Sequence, residues 1–407
     1  MTLRSLLSLL AGLCALPLFP SCIALQAGGR SSSHPLANIG PVYPGVASYV
    51  VADANDGRVL LSFQPDQKRP VASLTKIATA VVVLDYLRGS PANIDEIMVV
   101  PPSVLGLGVP SPLGLQPGDG LSVRDALCAA MMASDNFAAE TLGTHFGAKL
   151  SAVGLGGTPL SAFVSQMNGL SARLSLRQTQ FANPHGLDLP GASGYSCASD
   201  VARLLNHAIT IPGFTFYSSQ ASRRITFLRN GTSQTISVRN TNEIIGQNRI
   251  DAGKTGTTLL AGPCLAITAP KPATVIKRPD GSTLVIPHRL TVVALGAPDR
   301  FTASSRLLAE GWKRYENWRA VNSPPGQPFE YLGALPAPLP PALPAPPSPP
   351  PPSPPQLPLC PSPPPSLPPA AATSPCPIEI PLPLGQISAH SFLHTTNLIS
   401  TFPYTHS

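Results

Sequence analysis

The stretch "VASLTKIATAVVVLDYL" (Val71–Leu87) holds a single lysine, Lys76, and meets no further charge until Asp85. Pro70 stands just ahead of it. From Ser73 onward the pattern is apolar on every helical face, which predicts a helix buried all round. Such a helix lies inside a domain with other elements packed on each side. Its lysine is then the anomaly, because lysine is almost never fully buried without a partner. Ser73 lies three residues earlier, and on a helix that spacing puts both side chains on one face, within reach of each other.

Ser-x-x-Lys at the start of a greasy helix has a chemical reading. A serine hydroxyl is a weak nucleophile and needs a base. A lysine held in an apolar wall loses hydration, so its pKa falls and it can serve as a neutral base. The helix N-terminus adds a positive field where an oxyanion would form. The bland reading is an N-capping serine with a snorkelling lysine. The tetrapeptide by itself does not separate the two.

Upstream, "ASYVVADANDGRVLLSF" (Ala47–Phe63) reads as two strands around the turn Asn55-Asp56-Gly57. Downstream, Pro101–Gly120 reads as a Gly/Pro-rich loop. A helix from Val123 follows a capping box at Ser122 and Asp125, pauses near Ser134 and resumes through Ala138–Leu142. "SAFVSQMNGLSARL" and Ser196–Ile209 predict two more helices, with "FANPHGLDLP" (Phe181–Pro190) as loop between them. Strands are expected at Arg224–Arg229, Thr235–Val238, Asp251–Thr258, Pro263–Ala269, Thr274–Lys277, Leu284–Pro287 and Arg289–Gly296, then a closing helix at Ala303–Trp318. Strands first, a block of helices, then antiparallel strands and a helix: this order predicts an α+β fold, not a βαβ repeat.

Two further motifs fall on telling positions. Ser134-Asp135-Asn136 sits at the turn between two helical runs, where its bland role is a cap. Lys254-Thr255-Gly256 sits on a strand expected near the sheet edge, where a lysine discourages aggregation. Ser-x-x-Lys, Ser-Asp-Asn and Lys-Thr-Gly together are the signature set of class A β-lactamases and penicillin-binding proteins. Here they stand in that order, on a helix start, an inter-helix turn and a strand. With "PVASLTKIATA", "FANPHGLD", "YSCASDVARL", "DAGKTGTT" and "LGAPDRFTASSRLLAEGW", roughly Gly45–Trp318 resembles the secreted serine D-alanyl-D-alanine carboxypeptidases, the low-molecular-mass penicillin-binding proteins of peptidase family S11.

The resemblance implies a β-lactamase/transpeptidase-like fold, an antiparallel sheet flanked by helices with an inserted helical subdomain. It implies hydrolysis of the terminal D-Ala–D-Ala bond of peptidoglycan stem peptides, with β-lactams as covalent inhibitors and no metal or organic cofactor. Ser73 would be the acylated nucleophile, Lys76 its base, and Ser134 a proton relay to the departing D-alanine. Asn136 would position the substrate amide and Lys76. Lys254, Thr255, Thr257 and Arg300 would bind the terminal carboxylate, and the N–H groups of Ser73 and Thr257 would form the oxyanion hole. His185 and Asp188 suggest a triad, but the resemblance places them in a structural loop.

Three rivals stay open. A D-alanyl endopeptidase acting on cross-links uses the same trio. A class A-like β-lactamase needs a glutamate to clear the acyl-enzyme, and none lies between Glu140 and Glu243. A non-catalytic wall-binding protein would keep the fold without turnover.

The chain ends differ from this core. Residues 1–26 read as a secretory signal peptide: Arg4, an apolar run Leu6–Leu18, then small residues. Phe19-Pro-Ser-Cys22 faintly resembles a lipoprotein cleavage site. The protein is therefore expected to be periplasmic or cell-wall associated, without a transmembrane helix after cleavage. The peptidase domain is expected over 40–320. Of the 51 prolines, 28 lie in Val321–Ser407, which has no Lys or Arg and only Glu330 and Glu379 as acids. This composition predicts an extended or disordered tail over 322–407, of unknown partner; it stands where many members of the family that the core resembles carry a β-rich domain and an amphipathic anchor. The net charge of +7 is scattered, with no basic run longer than two residues, which argues against nucleic acid.

Overall fold

A computed structural model describes residues 43, 45–152, 157–191, 193–320 and 331–332. The chain divides into two units, Met1–Ser348 and Pro349–Ser407, and every described residue lies in the first. The expected signal peptide, the lipidation option at Cys22 and the tail, apart from Tyr331 and Leu332, lie outside the described residues.

The first hairpin forms as its sequence predicts. Strand β1 (Ser48–Asp53) and β2 (Val59–Phe63) pair antiparallel around the Asn55–Gly57 turn. The Asp53 carboxylate accepts from the Asn55 N–H at 2.8 Å and fixes that turn. Every residue of β1 is buried, so both faces of the strand are covered. Tyr49 and Val51 join a core beneath the C-terminal helix, whereas Val50 and Ala52 join the core shared with the helical block.

Helix α1 (Lys76–Arg88) follows a 3₁₀ turn at Ala72–Thr75 and is buried continuously from Lys76 to Leu84. Strands β3 (Ile97–Val99) and β4 (Gly120–Ser122) come next, then α2 (Val123–Met132), capped by the Ser122 hydroxyl accepting from the Asp125 N–H. Helix α3 (Asn136–Leu150) is capped by Asp135, whose carboxylate accepts from the Ala138 N–H. Helices α4 (Pro159–Arg173), α5 (Ala198–Ala208) and the short α6 (Phe214–Ser218) complete the block.

Strands β5 (Ser222–Arg229) and β6 (Thr232–Arg239) pair with each other, and β5 pairs with β4, giving a four-stranded sheet in the order β3-β4-β5-β6. Strands β7 (Ala252–Thr258), β8 (Gly262–Lys277) and β9 (Thr283–Leu295) return to the main sheet, ordered β2-β1-β9-β8-β7 and antiparallel throughout. Helix α7 (Arg300–Ala320) packs on one face of this sheet, while α1 and α5 lie toward the other. At Gly311 a Cβ would stand 2.6 Å from Val51 Cγ1, so α7 approaches the sheet to glycine distance.

The α+β architecture, the antiparallel sheet and the inserted helices are as expected. Three details differ. The strands at β5 and β6 belong to a second sheet with β3 and β4, each only three residues long. The expected loop at Pro101–Gly120 contains a helical turn at Pro102–Leu107 and the first residue of β4. Prolines 270, 272 and 287 do not break β8 and β9, each of which runs through as one strand with a bulge between Lys271 and Thr274. Proline removes a ladder donor. Here the loss is harmless, because β7 ends at the Ala252↔Thr268 pair and β1 at Asp53↔Leu290, leaving no third strand beside these prolines. In the expected tail, Tyr331 pairs with Arg58, and Leu332, buried, donates its N–H to Gly57 O at 2.8 Å.

Candidate active site

The 3₁₀ turn before α1 leaves Ser73 half-buried at the surface and places Lys76 fully buried beneath it. Lys76 Nζ lies 2.8 Å from Ser73 Oγ, 2.7 Å from Asn136 Oδ1 and 2.8 Å from the carbonyl oxygen of His185. Three segments thus converge on one nitrogen: the Ser73 turn, the start of α3 and the Phe181–Pro190 loop. Burial pushes the Lys76 pKa down to about 7, against a smaller opposing pull from Asp135. The fall from the ordinary 10.5 corresponds to about 5 kcal/mol disfavouring the ammonium. At neutral pH a large fraction of Lys76 is therefore the free amine. That amine has two N–H bonds for its two carbonyl-type acceptors and a lone pair left for the Ser73 hydroxyl.

The turn is held by close backbone packing. Ala72 sits at φ 49°, in the left-handed region. Gly186 sits at φ +80°, and a Cβ there would stand 2.0 Å from Ala72 O. At Gly256, on β7, a Cβ would stand 2.9 Å from Val71 O and 3.0 Å from Ser73 N. Glycine at both positions lets the loop and the edge strand press on the Ser73 turn from two sides. Thr79 Oγ1 donates to Pro184 O at 2.6 Å and ties the same loop to α1.

The Ser-Asp-Asn turn divides its three side chains among three tasks. Ser134 is half-buried at φ 59°, a costly conformation for a non-glycine residue. Asp135 is buried, caps α3 and accepts from Ser111 Oγ at 2.5 Å. Asn136 turns to Lys76. Among the described residues, no hydrogen bond joins Ser134 to Ser73 or Lys76.

Strand β7 forms the sheet edge and carries Lys254, Thr255 and Thr257, with Arg300 at the start of α7. Lys254 is buried and donates to Thr255 O at 2.8 Å. Burial pushes its pKa well below the ordinary value, and the positive charges of Lys76 and Arg300 push it further. Thr257 is exposed; its hydroxyl donates to Gly256 O and accepts from Arg300 Nη1 at 2.8 Å. Arg300 Nη1 also donates to Gly256 O at 3.1 Å, so the first residue of α7 meets the strand as expected of a second anchor. Thr255 differs. It is buried, and its hydroxyl lies 2.5 Å from that of Thr241, so the threonine open to a substrate is Thr257.

The loop histidine is not part of a triad. The His185 ring is buried, its Nδ1 accepts from the Leu187 N–H at 3.1 Å, and its Nε2 faces Glu140. Burial first, and the Lys76 charge second, push its pKa down to about 3. The contribution of this loop that the sequence concealed is the backbone carbonyl on Lys76. No side-chain pattern signals a carbonyl.

The sequence model described as "D-alanyl-D-alanine carboxypeptidase" matches residues 45–276. A D-alanyl-D-alanine endopeptidase of Pseudomonas aeruginosa is 34% identical over 225 residues, 54% of this chain and 66% of that protein. A D-alanyl-D-alanine endopeptidase of Escherichia coli is 30% identical over 300 residues, 73% of this chain and 85% of that protein. The E. coli carboxypeptidase DacC is 30% identical over 279 residues, 66% of this chain and 62% of its own length. Among solved structures, the Streptomyces K15 DD-transpeptidase superposes with a TM-score of 0.56 at 22% identity, over 68% of this chain and 100% of that one. Penicillin-binding protein D2 of Listeria monocytogenes, in an ampicillin-bound form, gives 0.51 at 24% identity, over 67% and 100%. The fold is thus that of the DD-transpeptidases, and the chain belongs to the D-alanyl-D-alanine carboxypeptidase family.

Proposed function

We propose that this protein hydrolyses the terminal D-Ala–D-Ala bond of peptidoglycan stem peptides through an acyl-enzyme on Ser73. The observation that carries the reading is the buried Lys76, its pKa brought down to about 7, bonded to Ser73 Oγ with its other partners fixed. Lys76 takes the proton from Ser73 Oγ as that oxygen attacks the carbonyl of the penultimate D-alanine. The N–H groups of Ser73 and Thr257, on backbones in contact at Gly256, receive the oxyanion. The C–N bond breaks, D-alanine leaves as the amine, and Ser134 passes it the proton returned by Lys76. Water then attacks the ester, and Ser73 regains its hydrogen.

The terminal carboxylate fits the other side. Lys254, Thr257 and Arg300 form a positive edge, and an incoming carboxylate restores the Lys254 charge that burial disfavours. β-Lactams would acylate Ser73 and leave slowly. Glu140 is buried and bonded to Ser103, and no glutamate follows before Glu243. This favours a trapped acyl-enzyme over a β-lactamase, and the full residue set favours an enzyme over a wall-binding protein.

Cross-link cleavage is the second reading. Two relatives, at 34% and 30% identity, are named endopeptidases. Either substrate lies outside the cytoplasmic membrane, in keeping with the export signal expected at residues 1–26. No described helix is long and apolar enough to cross a membrane. The test is release of D-alanine from a soluble pentapeptide beside cleavage of a cross-linked muropeptide dimer. Faster D-alanine release supports the main reading; cleavage of the dimer alone replaces it with the endopeptidase; neither removes both.

A further inference from the structure

Helix α3 places Asn136 and Glu140 four residues apart, hence on one face. Asn136 bonds Lys76 directly. Glu140 is 2% exposed, deep in the same block. Its Oε1 accepts from Ser103 Oγ at 2.9 Å. Its Oε2 is buried with no hydrogen-bond partner and lies 3.7 Å from Nε2 of His185. A buried carboxylate oxygen without a donor is left with an uncompensated loss of hydration. That imidazole is a group able to satisfy it.

The tautomer follows from the hydrogen bonds. His185 Nδ1 accepts from the Leu187 N–H, so it carries no proton, and a neutral ring carries its proton on Nε2. Nε2–H then points at Glu140 Oε2. The separation is longer than a hydrogen bond, so the contact is electrostatic, between the Nε2–H dipole and the carboxyl group. The ring accepts from the Leu187 N–H on one side and has the Glu140 carboxyl group 3.7 Å away on the other, and its own carbonyl oxygen is an acceptor for Lys76.

We infer that Glu140 is a positioning residue for the proposed base: by holding the His185 ring it fixes the His185 carbonyl on Lys76 Nζ. Helix α3 thus sets both acceptors of Lys76, one through the Asn136 amide and one through Glu140 and the loop. With both N–H bonds committed, the amine lone pair is aimed at Ser73 Oγ. The group is neither nucleophile nor base. It decides the direction in which the base points.

The inference rests on Lys76 acting as base, and the test separates the two. Acylation of wild type, Glu140→Ala and Glu140→Gln by a fluorescent penicillin is followed by rate, with binding and chemistry resolved by saturation. Glu140→Ala lowers the acylation rate constant by about tenfold to a hundredfold, as misplacement of a catalytic group does, with the pre-covalent dissociation constant little changed. Glu140→Gln keeps one acceptor oxygen for the His185 Nε2–H while its amide N–H can donate to Ser103 Oγ, so it stays within about threefold, the scale of one altered neutral hydrogen bond. A folded Glu140→Ala protein acylated at the wild-type rate overturns the inference, as does Glu140→Gln falling as far as Glu140→Ala. Absence of any wild-type adduct overturns the proposed function instead. Nitrogen NMR of His185 in the wild type needs no variant. The inference requires a neutral ring with its proton on Nε2, and a proton on Nδ1 contradicts it.

Discussion

Two buried lysines stand within one site and are treated differently. Lys76, at the start of α1, has three oxygen partners from three segments, all within 2.8 Å. Lys254, on the edge strand β7, has one acceptor among the described residues, the carbonyl of its own neighbour Thr255. Both are stripped of water, and burial lowers both. The first environment is complete without a ligand and suits proton transfer. The second has that single acceptor and feels the charge of Arg300, which bonds Thr257 on the same strand, an arrangement suited to an anion. Identical side chains in one site are thus proposed to take opposite tasks, and the difference lies in how many of their hydrogen bonds the protein supplies itself.

Four experiments sharpen or break that contrast. The largest effect is expected from Lys76→Ala, which lowers penicillin acylation about a thousandfold or more, the scale of lost general-base catalysis. Retention of more than a tenth of the rate would mean another base. Lys254→Ala is expected to lower kcat/KM about a hundredfold on a peptide ending in a free carboxylate, one charge-assisted hydrogen bond being worth about 2–3 kcal/mol. On the same peptide with an amidated terminus the variant and wild type should nearly coincide. Equal losses on both peptides would remove Lys254 from carboxylate binding.

The pH dependence comes third. Because Lys76 is held at about 7, its neutral form dominates above that pH and its ammonium below it. Acylation therefore rises about tenfold from about pH 6 to 8 and then levels. A flat profile would contradict a lysine base. The smallest effect is expected from Arg300→Ala. This exchange leaves Thr257 and Lys254 in place and should raise KM about fivefold with kcat retained, as loss of a partly screened charge does.

Much of this site was legible before any coordinates. The all-round apolar run after Ser73 dictated a buried helix, and a lysine in it had to be either expensive or useful. Asn-Asp-Gly fixed the first hairpin, and the two serine- and lysine-containing motifs fell on the elements expected. The rest was hidden for physical reasons. The His185 carbonyl belongs to the backbone, which every residue has. Glu140 lies in an ordinary helical run, and only the fold brings it to the loop. Strands of three residues, β3 and β4, are too short for an alternation to register. Prolines 270, 272 and 287 suggested breaks because the sequence does not say where a third strand ends.

The most direct test of the account is the mass of the mature protein and its Ser73→Ala variant after exposure to penicillin. The account predicts one stable adduct on the wild type, mapped to Ser73, and none on the variant. An adduct that persists in Ser73→Ala, or penicillin consumed by the wild type with no adduct retained, would contradict it.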